Sequence, residues 1–283
     1  MSGFQSTGGY KTGVFQTNRL DCWWVEPLLT GFGFLCFVIY TTWAMLQGNY
    51  YWWSAGSEGF GGYLSPFYSP LLFIEENALG AAPLSHSFFG SWPSWMPSLI
   101  PVTPAILILA GPLSFRMTCY YYRKFYYRSY LLSPPACGVV GVSQKYYKGE
   151  TSLLIIQNLH RYTLYIAIFF VIVLSYDAIL AFFRNGEFGI GVGTVILCIN
   201  PLLLAGYTFG CHAFRHLVGG RHNCFSCMKG TETVNYKIWR GVSTLNSKHM
   251  FWAWASMIWV AFADIYVRLV SKGYWIDLNT WGN

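Results

Sequence analysis

Charge is what this chain has least of. Asp, Glu, Lys and Arg make up 10% of its 283 residues, where a soluble domain carries about 25%. Long stretches hold none, among them those between Glu26 and Glu58, between Glu150 and Arg161, and between Glu187 and Arg215. Such runs exclude an ordinary water-soluble domain. Lys and Arg are also missing from residues 47–103. The first twenty residues are polar and rich in Gly and Thr, with no apolar core of a cleavable signal. No dinucleotide fingerprint is present, and no soluble stretch is large enough to build a flavin site. Internal repeats and midplane charges, which mark many transporters, are not apparent either. A non-redox transporter is therefore the weaker reading from another functional class.

What the chain does have is apolar and aromatic. Hydrophobic residues reach 54% and aromatic ones 20%, including 13 Trp and 21 Tyr. That richness suits a membrane protein with wide interfacial belts. The expected fold is an all-α membrane protein, five transmembrane helices in a bundle with a long aromatic-rich outer loop. Residues 1–26 form a cytosolic N-terminal arm, and residues 27–283 the membrane domain. Spans are expected at about 27–46, 104–132, 152–183, 188–216 and 247–270, each long enough to cross. Residues 47–103 fold back as a cap, because six prolines from Pro66 to Pro101 forbid a further span.

All Lys and Arg except Arg184, Arg268 and Lys272 fall in the N-terminal arm, the second connection or the fourth connection. The positive-inside rule then puts the N-terminus inside and the C-terminus outside. It also accounts for the net charge of +7 without nucleic acid. Arg116 is counted here with the second connection. Asp264 and Arg268, four apart, are placed to pair. Asp177 reads as an interfacial acid.

One stretch organises the rest. Gly206-Tyr-Thr-Phe-Gly-Cys211-His212-Ala-Phe-Arg215-His216 ends an apolar run and opens onto basic sequence. Cys119, His160 and His249 also fall at helix ends, and the orientation puts all six ligand-type residues at the cytoplasmic surface. Ionisable groups in lipid are functional candidates, because each is unfavourable there. Two cofactors fit. Haem b would take two of the four histidines as axial ligands. A [2Fe–2S] cluster of Rieske type would take Cys119 and Cys211 with two of His160, His212, His216 and His249. Arg123 and Arg215 are candidates for orienting quinone carbonyls. Cys224-x-x-Cys227 beside His222 is half a zinc site, and the eight cysteines imply no disulfide framework. Cys36 and Cys198 read as core residues.

The strings Tyr63-Leu-Ser-Pro-Phe-Tyr-Ser-Pro70, Thr118-Cys-Tyr-Tyr-Tyr-Arg-Lys124, Gln157-Asn-Leu-His-Arg-Tyr162, Cys211-His and Asp264-Ile-Tyr-Val-Arg268 carry a resemblance. In collinear order over nearly the whole chain, they resemble the single-chain membrane anchor of trimeric, actinobacterial-type succinate dehydrogenases. The resemblance implies five spans, quinone binding, and partners that are a flavoprotein subunit and an iron–sulfur subunit. It implies a multi-pass protein of the cytoplasmic membrane of a prokaryote, surrounded by lipid, with the succinate site on another subunit. It further implies a Rieske-type cluster in place of haem. Phe214 stands where some relatives carry a second cysteine, which makes Cys224 and Cys227 candidates to replace it.

Overall fold

The computed structural model describes residues 13–54, 61–75, 77–95, 103–142, 152–220, 223–225, 227 and 233–281. The described residues form eight α-helices. They are α1 (Val25–Gln47), α2 (Ala105–Thr118), α3 (Tyr120–Ser129), α4 (His160–Leu180), α5 (Val192–Phe209), α6 (His212–Gly219), α7 (Val234–Ser247) and α8 (His249–Ser271). Helix α5 packs between α4 and α8, α2 lies against α4, and α1 borders α3 and α8. The described residues from Val25–Gln47, Ile156–Leu180, Val192–Phe209 and His249–Ser271 are long and apolar enough to cross a membrane. Ala105–Thr118 is apolar but shorter.

Two expected spans are not single helices. The one placed at 104–132 is α2 followed by α3, broken where Cys119 adopts extended backbone (φ −67°, ψ 130°). The one placed at 188–216 is α5 followed by α6, broken at Gly210 and an extended Cys211 (φ −75°, ψ 154°). The span placed at 152–183 starts as a 3-10 helix, Ser152–Leu159, and becomes α-helical only at His160. It ends in a two-residue hairpin, Phe183–Arg184 against Glu187–Phe188. Asn185 and Gly186 both take positive φ there, as a tight hairpin turn requires. The fourth connection, expected as a loop, contains α7. Thr233 caps it by accepting the Tyr236 amide, and Trp239 and Val242 share its packed face.

The described residues between α1 and α2 pack over one end of the bundle. Trp52–Trp53 pairs antiparallel with Tyr63–Leu64, and a 3-10 turn, Pro66–Tyr68, follows. Tyr51, Phe67, Tyr68, Leu71 and Ile74 pack with Ala44 of α1 and Ala105 of α2. The Tyr51 and Tyr68 rings stack at 4.2 Å.

Two buried carboxylates rivet this cap end. Asp264, wholly buried, accepts from Tyr40 at 2.5 Å, from Ser65, and from Arg268 Nε at 2.7 Å. Arg268 also donates to the carbonyls of Asn49 and Ala44. The Asp264–Arg268 pair read from the sequence is thus a junction of α1, cap and α8. Asp277 accepts from Tyr63 at 2.8 Å, Tyr266 at 2.7 Å, the Gly193 amide at 2.9 Å and Arg184 at 3.2 Å. A buried carboxylate is tolerated only when paired and hydrogen-bonded, and both are.

Candidate cysteine and histidine centre

The two helix breaks serve the cysteines. An extended residue just before a helix is in N-cap geometry, so its side chain can accept the unused amides of the first turn. Cys211 Sγ accepts the Phe214 amide at 3.2 Å. Cys119 opens α3 from the same extended geometry, though its side chain makes no capping hydrogen bond. Both cysteines are almost fully buried, 2% and 0% exposed. They belong to one packed cluster with Phe115, Tyr122, Leu164 and Tyr207.

His160 is the first residue of α4 and His249 the first of α8. His249 Nε2 lies 3.5 Å from Cys119 Sγ, and its buried Nδ1 has no hydrogen-bond partner among the described residues. Its ring stacks on Tyr207 at 5.0 Å. His160 stacks on Phe115 at 4.5 Å, and Thr118 Oγ1 holds its Nδ1 at 3.0 Å. The other ring nitrogen of His160 is therefore the one left to act. His160 and His212 both lie within electrostatic reach of His249, as Cys119 does of Cys211.

Four helix N-termini, those of α3, α4, α6 and α8, thus meet around Cys119, His160, Cys211 and His249. Each end carries roughly +0.5 of an elementary charge. Arg116 adds a full one. Its guanidinium sits 4.9 Å over the Tyr207 ring and donates to Tyr122 Oη at 2.7 Å, Ser256 Oγ at 3.0 Å and the Ala253 carbonyl at 3.2 Å. These groups place positive potential beside the two sulfurs.

The structure sorts the candidate residues. Cys119, Cys211, His160 and His249 come together, with exposed His212 at the rim. His216 is exposed, a turn further along α6. Among the described residues no three of His, Cys, Asp and Glu stand close enough, as placed, to hold a metal ion. The nearest pair is Cys119 with His249. Cys224 and Cys227 are bonded to each other in a disulfide, their Cα atoms 5.6 Å apart. That corrects the half zinc site, because bonded sulfurs are not thiolate ligands. His222 lies outside the described residues. Arg123 turns to Tyr120 and Tyr127 of its own helix, and Arg215 to Ser243 and Trp239 of α7.

Arg116 is the residue the sequence reading misplaced. It belongs inside the bundle, one turn before Cys119, and not in the connection. The available signal was its position within the apolar run of α2. Beside it opens an apolar cavity of about 240 Å³. Phe34 and Val38 of α1, Leu109 and Pro112 of α2, Leu174 of α4 and Val260 of α8 line it, with Arg116 and Ser256 among its few polar groups.

Residues 25–273 match the family described as actinobacterial succinate dehydrogenase subunit SdhC. The chain belongs to that family. A chain of the Mycobacterium smegmatis Sdh1 complex in the apo form is 40% identical and superposes with a TM-score of 0.81. That alignment covers 96% of this chain and 100% of the other. No curated protein sequence matches. The SdhC family assigns the bundle its general role, the membrane-anchor subunit of a succinate dehydrogenase. All four converging Cys and His residues, Arg116 and the cavity fall inside the matched region.

Proposed function

We propose that this SdhC-family anchor carries electrons from docked partner subunits to a quinone bound beside Arg116, with Cys119, Cys211, His160 and His249 holding a Rieske-type [2Fe–2S] cluster. The observation that carries the reading is the 3.5 Å approach of His249 Nε2 to Cys119 Sγ where four helix N-termini converge. The donor types fit the group: two buried cysteines at helix N-caps, one of them accepting an amide, one imidazole oriented through Nδ1, and one with a buried unpaired nitrogen. When bound, such a cluster supplies a one-electron relay whose potential is raised by imidazole ligation.

The protein's own part is to position and to exclude water. The Phe214 amide donates to Cys211 Sγ, and Thr118 fixes the His160 ring. Arg116, restrained by Tyr122, Ser256 and the Ala253 carbonyl, points fixed positive charge at the cavity wall. There it can donate to a quinone carbonyl while the apolar slot between α1, α2, α4 and α8 accepts the tail. The flavoprotein and iron–sulfur subunits dock at the cysteine end, where Lys124, Arg128, Lys237, Arg240 and Lys248 gather. That end faces the cytoplasm of a prokaryote, and the C-terminus faces out.

The test is low-temperature electron paramagnetic resonance on the purified complex, oxidised and reduced, compared with a Cys119→Ser complex. A signal that appears on reduction, with an average g below the free-electron value, and is lost in the variant is expected. Low-spin ferric signals in the oxidised sample would assign the histidines to haem b. Identical spectra for the two complexes would refute the cluster.

A further inference from the structure

A second cavity, about 480 Å³, lies at the cap end, and the proposed electron path does not use it. It forms where the cap leans on α4. Trp52, Leu71 and Phe88 line it from the cap, and Ile172, Val173 and Tyr176 from the helix. Its size falls within the range of small-molecule sites, about 300–1,000 Å³. Ile172 and Tyr176 are more than half exposed on the face of α4 that would meet lipid, so a molecule can enter sideways from the bilayer. Gly61 and Gly62 bring backbone to the wall with φ of 127° and 107°. A side chain at Gly62 would run into the Trp53 carbonyl.

The cavity is apolar except at one place. Asp177 lies in its wall on α4, and Ser85, His86 and Ser87 line it from the cap. One carboxyl oxygen of Asp177 accepts from Ser69. Among the described residues no Lys or Arg pairs with it, unlike Asp264 and Asp277. A carboxyl group without a cation, set among aromatic rings, accepts a hydrogen bond from a ligand and gives a flat ring surfaces to pack on. Trp52 and His86, 4.7 Å apart between centroids, with Tyr176 and Phe88, supply those surfaces.

We propose that this cavity is a second, non-reducing site for a ring lipid of the quinol class, its hydroxyl donating to Asp177. The hydroxylated form is preferred because the oxidised ring presents only acceptors, which a carboxylate cannot satisfy. The site takes no part in electron transfer. Asp177 is 17 residues along α4 from His160, on the order of 25 Å away at the helical rise. The site stands apart from the cavity at Arg116, so its existence does not depend on the assignment made there.

Binding of a decyl-tailed benzoquinol and of the matching benzoquinone to the intact complex in phosphatidylcholine nanodiscs tests this. Equilibrium dialysis gives the number bound, and quenching of Trp fluorescence the affinity. Two quinol molecules per complex are expected. Asp177→Asn should weaken one of the two quinol sites about tenfold or more and spare benzoquinone, because the amide can donate to a carbonyl. Leu71→Trp, which fills the cavity from the cap, should remove that site for both ligands. Succinate-driven quinone reduction at saturating quinone should stay within twofold in both variants. A single quinol per complex whose binding is unchanged by Asp177→Asn would overturn the proposal. So would two sites indifferent to both substitutions, or retention of phospholipid in the cavity against excess quinol. A loss of quinone reduction in Cys119→Ser with the Asp177-sensitive binding intact would leave this site standing, so the two assignments fail separately.

Discussion

Cys119 Sγ and His249 Nε2 are 3.5 Å apart, though 130 residues separate them in sequence and they belong to different helices. Both open their helices, α3 through its cap and α8 through its first residue. The contact is therefore set by two chain interruptions meeting at one depth.

Removing either member should disable the centre. His249→Ala and Cys119→Ser are expected to lower succinate-driven quinone reduction by ~10²-fold or more, since even groups supporting a metal ligand are worth 10–100-fold. Succinate oxidation with a soluble dye should persist. His216→Ala, on the exposed turn of α6, should stay within twofold on both assays. Equal losses in all three variants would remove the distinction drawn between the histidines.

Arg116 is predicted to act on quinone and not on docking. Arg116→Gln should raise KM for quinone or lower kcat by about 10–100-fold, the equivalent of a hydrogen bond to a charged group at roughly 1.5–3 kcal/mol. Arg116→Lys should recover only part of this, because a point charge cannot serve Tyr122, Ser256 and a ligand at once. Arg123→Ala, whose cation rests on its own helix's tyrosines, should be near neutral. Steady-state kinetics with purified complex decides between them.

The Asp264–Arg268 pair should show the asymmetry of buried ion pairs. Asp264→Leu leaves a buried guanidinium without its counter-charge and is expected to destabilise by about 3–5 kcal/mol. Arg268→Met added to it should restore much of the loss. Thermal unfolding of the detergent-solubilised complex reads both. A double variant no better than the single one would mean that Arg268 holds the cap chiefly through the Asn49 and Ala44 carbonyls.

The Asp277 junction makes a separate prediction about local opening. Burial pushes the Tyr63 phenol up to about 12, so at neutral pH it remains a donor to Asp277. Tyr63→Phe should weaken the cap by about 1–3 kcal/mol, the range for leaving a buried acceptor short of a partner. Hydrogen exchange at residues 61–68 should accelerate accordingly, while exchange in α3 and α6 stays unchanged.

Much of this was open to reading in the sequence, and the misses have definite causes. Apolar run length reveals α1, α4, α5 and α8 directly, because a bilayer demands about twenty predominantly apolar residues. The Asp264–Arg268 spacing reveals their pairing, and Asn185-Gly186 the turn. The break at Cys119 is hidden: Thr118-Cys119-Tyr120 contains neither Gly nor Pro, and its extended backbone comes from how the tail of α2 meets α8. The break at Cys211 has only Gly210 to announce it. Arg116 was lost to a counting habit, since a cation near a basic tail is assigned to water unless something shows it packed. Of the centre itself, residue types and depth are legible. That His249 and not His216 lies at Cys119 depends on which way two short helices turn after their breaks, and local sequence does not encode that.

The interruptions also have a mechanical consequence. A continuous helix transmits a push or twist along its whole length, whereas a residue in extended conformation acts as a joint. Helices α3 and α6 are jointed to α2 and α5 at Cys119 and Cys211, and at the opposite end Asp264 and Asp277 clamp the bundle to its cap. If partner subunits dock on α3 and α6 as proposed, strain from them would be taken up at these two joints before it reached the lipid-facing helices.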